Sequence, residues 1–360
     1  MPIETDRAHA SLESKFMTVF HAPSFLDRLI SGKSLTQEET DQFVCEIMQG
    51  KLTDVTIAGF LTALACKGPA ATELAGAARA MRKHVVPLKP QSTPLLDTCG
   101  TGGDGQATFN ISTAAAIVVA AAGCPVAKHG NRSVTSLSGS ADVLEAMGVR
   151  LDLPPDAVAQ CIDEVGIGFC FAPLFHNAMK HVATVRKQLG IRTIFNLLGP
   201  LTNPAGAQHQ VLGVSKPHEA ALVAEALALL GTGKSAVICG DRIDEVSLWG
   251  QTQVWIVEGS TIHQETWNAA QLGLPECRVE DLKVANPQES AALIWKILAG
   301  EAGAPAHMVT ANAAVGLWLA GKAPDLISAT QLAKETIQDG RALSQLKSLV
   351  EWTNTHSNLK

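Results

Sequence analysis

The stretch from Asp97 to Asn110 reads DTCGTGGDGQATFN and gathers four glycines, two carboxylates and three threonines within fourteen residues. Gly100, Gly102 and Gly105 satisfy G-x-G-x-x-G, a spacing in which small residues let main-chain N–H groups approach phosphate and the following helix offers its positive end. A dinucleotide loop also needs an acidic side chain about 20 residues further on to hold the ribose. None occurs between Asp104 and Asp142. The next strand-like run, PVA, leads straight into KHGNRSVTSLSGSAD, which opens with Lys128, His129, Gly130, Asn131 and Arg132. Two cations there suit phosphate better than a ribose diol. A lone glycine loop reads first as a tight strand-to-helix turn; a second polar loop after the following strand tips the reading to a ligand with several phosphates.

Asp244 and Glu245 form the second candidate group, read at the end of a strand in CGDRIDEVSL. Such a pair is commonly a solvated turn. Facing phosphate loops, it is instead a natural hold for Mg²⁺, which binds through one or two carboxylates plus phosphate oxygens and water. Other candidates lose their force on inspection. GTGKS at 231–235 imitates the end of a Walker A loop, but Ala228 stands where its first glycine belongs, so a helix stop and a strand are expected. NIS at 110 and NRS at 131 match the glycosylation sequon, and without a secretory signal their polar groups are assigned to a ligand. His176 and His181, read on one helix from His176 to Leu189, would be about 140° apart and unable to share a metal.

The elements that must hold these residues follow from periodicity. From Ser24 to His84 the segments FLDRLISG, LTQEETDQFVCEIMQG, TIAGFLTALACKG and ATELAGAARAMRKH are helical, the first three closed by glycine. Beyond VPLKPQSTP, short apolar runs alternate with helical ones, the pattern of a parallel sheet with crossover helices. HNAMKHVATVRKQL interrupts it with a polar-faced helix, so the helical unit is expected to be discontinuous: residues 24–90 plus a returning segment at about 174–205. Residues 91–173 and 206–360 would form the larger α/β unit, and 1–23 a mobile extension. VWIVEG and its neighbours suit a hairpin, and the chain from Pro287 is mainly helical.

Composition excludes several classes. The chain has 360 residues, 46% of them hydrophobic, and 28 basic against 34 acidic residues give a net charge of -6. Nucleic acid is therefore disfavoured as a partner. Eight cysteines show no C-x-x-C pair or zinc spacing and read as reduced thiols of a cytoplasmic protein. Glu4, Asp6 and Arg7 stand where a signal peptide needs its apolar region. The uncharged run Ile111 to Ala127 is interrupted by Gly123 and Pro125 and reads as a buried helix and strand, leaving no membrane partner expected.

Together GTGGDG, FNIST, KHGNRSVTSLSGSADVLEAMG, VRKQLGIRTIFNLLGPLTNP and IDEVS resemble, in order, the blocks of the anthranilate phosphoribosyltransferases of tryptophan biosynthesis. The similarity runs from about Leu26 into the helical C-terminal region. It implies a homodimer, each chain with a small all-helical domain and a larger α/β domain built on a central, mainly parallel sheet. It also implies Mg²⁺-dependent transfer of phosphoribosyl from phosphoribosyl pyrophosphate to anthranilate. Carried over by position, phosphoribosyl pyrophosphate would meet Gly100, Gly103, Asp104, Thr108, Asn110, Ser112, Thr113, Lys128, Ser136 and Ser140. Metal ligands would be Ser112, Asp244 and Glu245. Anthranilate would meet Gly100, Asn131 and Arg186, with His129 and His176 lining its approach. Lys128 and Arg186 would position substrates and stabilise charge; no general base is assigned. Two alternatives stay open: a pyrimidine nucleoside phosphorylase-like enzyme, which shares the implied fold, and a non-enzymatic relative that binds nucleic acid.

Overall fold

The computed structural model of the chain describes residues 20–133 and 138–356; the expected extension up to residue 19 and the candidate Ser136 lie outside the described residues. Four helices come first: α1 (Ala22–Ile30), α2 (Gln37–Met48), α3 (Asp54–Lys67) and α4 (Ala71–His84). The first three begin where the sequence supplies a start. Pro23 opens α1, Thr36 and Glu39 close a capping box on α2, and the Thr53 hydroxyl accepts the Thr56 N–H at α3. The apolar faces of the helices meet in a core where Phe43 and Phe60 stack with ring centroids 4.0 Å apart.

The chain then builds β1 (Leu96–Gly100), α5 (Ile111–Ala121), β2 (Val126–Gly130), α6 (Ser140–Ala146), α7 (Pro155–Val165) and β3 (Ile167–Phe171). It leaves the sheet through α8 (Ala172–Phe175), α9 (Lys180–Leu189) and α10 (Phe195–Leu198), and returns with β4 (His209–Gly213), α11 (Pro217–Leu230) and β5 (Lys234–Cys239). The antiparallel hairpin β6 (Thr252–Glu258) and β7 (Thr261–Trp267) completes the sheet, followed by α12 (Pro287–Leu298), α13 (Ala304–Leu319), α14 (Leu326–Gln338) and α15 (Arg341–Thr355).

Strand order is β3-β2-β1-β4-β5-β6-β7, parallel from β3 to β5. Connections run outward in opposite directions from β1 and β4, so those two strands flank the topological switch point, outside whose carboxyl ends ligands of open α/β sheets bind. Helix α5 is apolar all round because it is buried all round, between the sheet and α13. On α13, Gly316 lets the helix settle against Leu96 and Val119. The other face of the sheet, with Leu212 and Val237, joins α11 and the helical core, to which α9 adds Val182 and Val185.

Three expectations about local structure need correction. The helix expected from His176 begins at Lys180, because His176 takes φ -106°, ψ 53° and ends α8 before a 3-10 turn at Asn177–Met179. His176 and His181 therefore do not share a helix. The strand read as PVA extends through Gly130, which pairs with Phe171 of β3, so Lys128 and His129 belong to a strand and not to the loop. Asp244 and Glu245 lie beyond β5, in the loop that leads to β6. Gly231 ends α11 in a left-handed conformation and Lys234 opens β5, which disposes of the Walker-like GTGKS. Among the described residues no helix is long and apolar enough to cross a membrane.

Candidate active site

At the switch point the loop after β1 and the loop after β5 are tied together. The Gly102 N–H donates to Asp244 Oδ2 at 2.8 Å, and the Ser112 N–H, in the first turn of α5, donates to Glu245 Oε1 at 3.1 Å. Both carboxylates thus lie against main-chain donors beside a helix N-terminus, which suits negative charge. Space for this arrangement comes from missing side chains: a Cβ at Gly100 would strike the Asp244 carboxylate, and one at Gly213 would strike the Asp244 main chain. The Val246 N–H donates to Asn312 Oδ1 at 2.9 Å, so buried α13 holds the carboxylate loop from behind.

Electrostatics at this end of the sheet are strained by burial. Desolvation, reinforced by Asp104, pushes the Asp244 carboxyl up to about 6, and desolvation with the neighbouring Asp244 pushes Glu245 well above the usual range. Two oxygen-bearing side chains that resist ionisation side by side are relieved by a hard cation. The described residues provide no cluster of three His, Cys, Asp or Glu side chains able to hold a metal alone. The set fits Mg²⁺ shared with a phosphate ligand and does not form a closed protein cage.

The opposite wall is built on β2. Lys128 is 3% exposed and its Nζ donates to the Thr98 carbonyl oxygen, while the Thr98 hydroxyl donates to the Ser112 carbonyl at 3.0 Å. His129 Nδ1 lies 3.0 Å from the Gly199 carbonyl, and its Nε2 lies 3.1 Å from His176 Nε2. A carbonyl only accepts, so Nδ1 carries the proton of His129, and His176 donates from Nε2. Burial keeps both rings neutral, drawing His129 down to about 3, with His176 adding to the effect, and His176 to about 4.

Comparison with known proteins decides what this cleft belongs to. A glycosyl transferase family α/β domain matches residues 92–343, and the helical bundle domain of the same family matches 23–85. The anthranilate phosphoribosyltransferase of Moorella thermoacetica is 46% identical over 331 residues, covering 92% of this chain and 98% of that protein. The chain belongs to the anthranilate phosphoribosyltransferase family. The crystal structure of the Thermus thermophilus anthranilate phosphoribosyltransferase is 44% identical, superposes with a TM-score of 0.86, and the match covers 91% of this chain and 99% of that one. The solved structure of the Saccharomyces cerevisiae protein, in complex with phosphoribosyl pyrophosphate and Mg, gives a TM-score of 0.84 at 29% identity, covering 93% and 98%.

Within this anthranilate phosphoribosyltransferase fold the predicted residues fall into three sets. Gly100, Gly103, Asp104 and Thr108 line the β1 loop, where Gly103 takes φ +75° and Thr108 bridges to Lys283. Ser112 and Thr113 open α5; the Thr113 hydroxyl is buried with no hydrogen-bond partner among the described residues. Asn110 is more heavily engaged than expected. Its side chain bonds Ser138 at 2.7 and 3.1 Å and the Ser290 hydroxyl at 2.9 Å, joining both loops to α12. Ser140 opens α6, its hydroxyl 3.4 Å from the Asn131 carbonyl, and Asn131 itself is exposed.

Arg132 departs from the expectation of a phosphate-facing cation. It is held by Glu145 at 2.8 Å and Asp142 at 3.1 Å and sits over the Phe171 ring. Arg186 is on α9, half-buried, its guanidinium 5.5 Å from the Phe195 ring centre; burial alone lowers its pKa, with no acid contributing. His181 packs instead against Gly50 in the helical unit. Sequence reasoning missed Asn312, Ser290 and Asp97. The first two come from helices far along the chain. Asp97 stood in the glycine stretch without a role, and is fully buried on β1.

Proposed function

We propose that this cleft transfers the phosphoribosyl group of 5-phosphoribosyl 1-pyrophosphate to the amine of anthranilate. The products are N-(5-phosphoribosyl)anthranilate and pyrophosphate, the second step of tryptophan biosynthesis from chorismate. The observation that carries the reading is a carboxylate pair bound to the amides of the β1 loop and the α5 N-terminus at the switch point, in a chain so close to its named relatives.

The bond from the anomeric carbon to pyrophosphate breaks while the anthranilate nitrogen bonds to that carbon, and the nitrogen releases one proton. Charge builds on the leaving oxygens and on the sugar ring, so the protein's task is positioning and anion stabilisation. The β1 loop, the start of α5 and Lys128 face the leaving group. Arg186, with no acid partner among the described residues, pairs with the anthranilate carboxylate, and the neutral His129–His176 pair forms an uncharged wall beside it. Ser112, Asp244 and Glu245 would hold Mg²⁺, which when bound neutralises pyrophosphate charge. The amine of anthranilate is neutral at pH 7, so the reaction needs no strong base to activate it.

This reading includes the division into residues 24–90 with 174–205 and 91–173 with 206–360, supported by α9 sharing the helical core. It includes a homodimer formed through the N-terminal helices, supported by Ile30 and Val55, 74% and 82% exposed on α1 and α3. It also includes a cytoplasmic location, supported by eight unpaired thiols. Loss of anthranilate fluorescence in the presence of phosphoribosyl pyrophosphate and Mg²⁺ tests the activity. No loss, or phosphorolysis of thymidine or uridine instead, overturns it.

A further inference from the structure

The first turn of α5 is left open in a way its sequence does not favour. Asn110 stands at the capping position, where an asparagine ordinarily turns its side-chain oxygen onto the N–H of the second or third helical residue. Two other asparagines of this chain do so, at the start of a 3-10 helix and of α12: Asn268 Oδ1 accepts the Gln271 N–H at 3.1 Å and Asn286 Oδ1 accepts the Glu289 N–H at 2.8 Å, both from extended backbone. The Asn110 side chain does not cap α5. Asn110 takes φ -75°, ψ 77°, and the Ile111 N–H donates to the Phe109 carbonyl at 2.8 Å, which makes an inverse γ-turn centred on Asn110.

A single hydroxyl closes this turn. Ser290, fully buried on α12, accepts the Asn110 N–H at 3.0 Å and donates to Asn110 Oδ1 at 2.9 Å, so it grips main chain and side chain at once. The Ser138 hydroxyl donates to the same Oδ1 at 2.7 Å. With both lone pairs of that oxygen engaged, Asn110 has no side-chain acceptor left for α5. The amides of the first turn find partners elsewhere, with one exception. Ile111 uses Phe109, Ser112 uses Glu245 at 3.1 Å, and Ala114 uses the Asn110 carbonyl at 3.1 Å. The Thr113 N–H has no hydrogen-bond partner among the described residues, and neither has the buried hydroxyl of the same residue. Helix amides point toward the amino end, so this N–H points out of α5 at the switch point, where the helix dipole favours an anion.

We propose that Ser290 is a positioning residue for phosphoribosyl pyrophosphate: by fixing Asn110 in the γ-turn it denies α5 its own cap and keeps the Thr113 N–H for a phosphate oxygen. Ser290 itself does not touch substrate. The proposal rests on the reading that the start of α5 faces the leaving group. Without the Ser290 hydroxyl, Asn110 loses the acceptor for its N–H and one of the two donors to its oxygen. Its side chain is then free to turn onto the Thr113 N–H, and the ligand must displace that cap before it binds.

The test is calorimetric titration of phosphoribosyl pyrophosphate with Mg²⁺ into the full-length parent, Ser290→Ala, Asn110→Ala and the double variant, each checked for folding by circular dichroism. Ser290→Ala should bind about 2- to 30-fold more weakly than the parent, the equilibrium worth of an asparagine cap that has to be undone. Alanine in place of Asn110 has nothing with which to cap, so in that background the same Ser290→Ala change should alter affinity by no more than about twofold. Unchanged affinity in a folded Ser290→Ala protein overturns the proposal. So does an equal loss in both backgrounds, which would make Ser290 a packing residue of α12. Should Ser290→Ala fail to fold, Ser138→Ala frees the same oxygen from the loop side and is compared in the same two backgrounds, with the same two results counting against the proposal. A parent that binds no phosphoribosyl pyrophosphate overturns the underlying reading of the cleft as well.

Discussion

Replacing Arg186 should separate the proposed acceptor site from the proposed phosphate site. The side chain projects from α9, whereas the residues proposed to face phosphate belong to the β1 and β2 ends of the sheet. Its guanidinium rests on Phe195 and has no acid partner among the described residues, so its donors are available to a carboxylate. A hydrogen bond to a charged group contributes about 1.5–3 kcal/mol, which corresponds to roughly 10- to 150-fold in affinity. Arg186→Ala should raise the Michaelis constant for anthranilate within that range and leave that for phosphoribosyl pyrophosphate within a few fold. Arg186→Lys should fall between the two, because the charge remains but the bidentate fork is lost. Steady-state kinetics with each substrate varied in turn give the answer. An equal rise in both Michaelis constants would refute the carboxylate role and assign Arg186 to domain closure or packing.

The carboxylate pair, the histidine pair and the exposed helices each give a further expectation. Asp244→Asn with Glu245→Gln should nearly abolish turnover and its dependence on Mg²⁺ while circular dichroism remains that of the parent; an active variant with unchanged Mg²⁺ dependence would remove the metal assignment. His129 and His176 have folded pKa values of about 3 and about 4, below the ordinary 6.5, so between about pH 6.5 and 4 the unfolded chain binds protons that the folded one refuses. Stability is thus complete above pH 6.5 and falls with acid, by about 2 kcal/mol per histidine at pH 5; urea titrations across this range should show it, and His129→Gln with His176→Gln should flatten the slope. Val55→Glu with Ile30→Glu should shift the mass seen by light scattering from dimer to monomer, and a parent already monomeric and fully active would contradict the dimer.

Much of the fold was legible because hydrophobic period and punctuation agree. Glycine closes the first three helices, the Ala-rich run after Asn110 is a buried helix, and VWIVEG does enter a hairpin. The candidate site was legible to the extent that the residues the fold brings together are local in sequence, as in the glycine loop and the Asp244–Glu245 pair. Three features escaped for physical reasons. Strand β2 continues through two polar residues because Gly130 still pairs with β3, so Lys128 lies in a strand despite its charge. His176 leaves helical geometry and faces His129, a contact across 47 positions that no helical period can announce. Asn312 and Ser290 brace the site from α13 and α12, and nothing in their own neighbourhoods marks them as different from ordinary core-facing polar residues.

The packing of α9 against the first helices has a consequence for biosynthesis of the chain itself. Helices α1 to α4 finish at His84, but Val182 and Val185, which complete their core, arrive only with α9. At roughly 5–20 residues per second, the ribosome takes several seconds to make the intervening segment. During that interval the four helices have an unfilled apolar face, and the crossing at Val86, whose N–H bonds to the Phe175 carbonyl, has no partner to bond. The first quarter of the chain therefore waits for part of its core to be synthesised, and a nascent chain stalled before α9 presents an incomplete bundle to the chaperones and proteases of the cell.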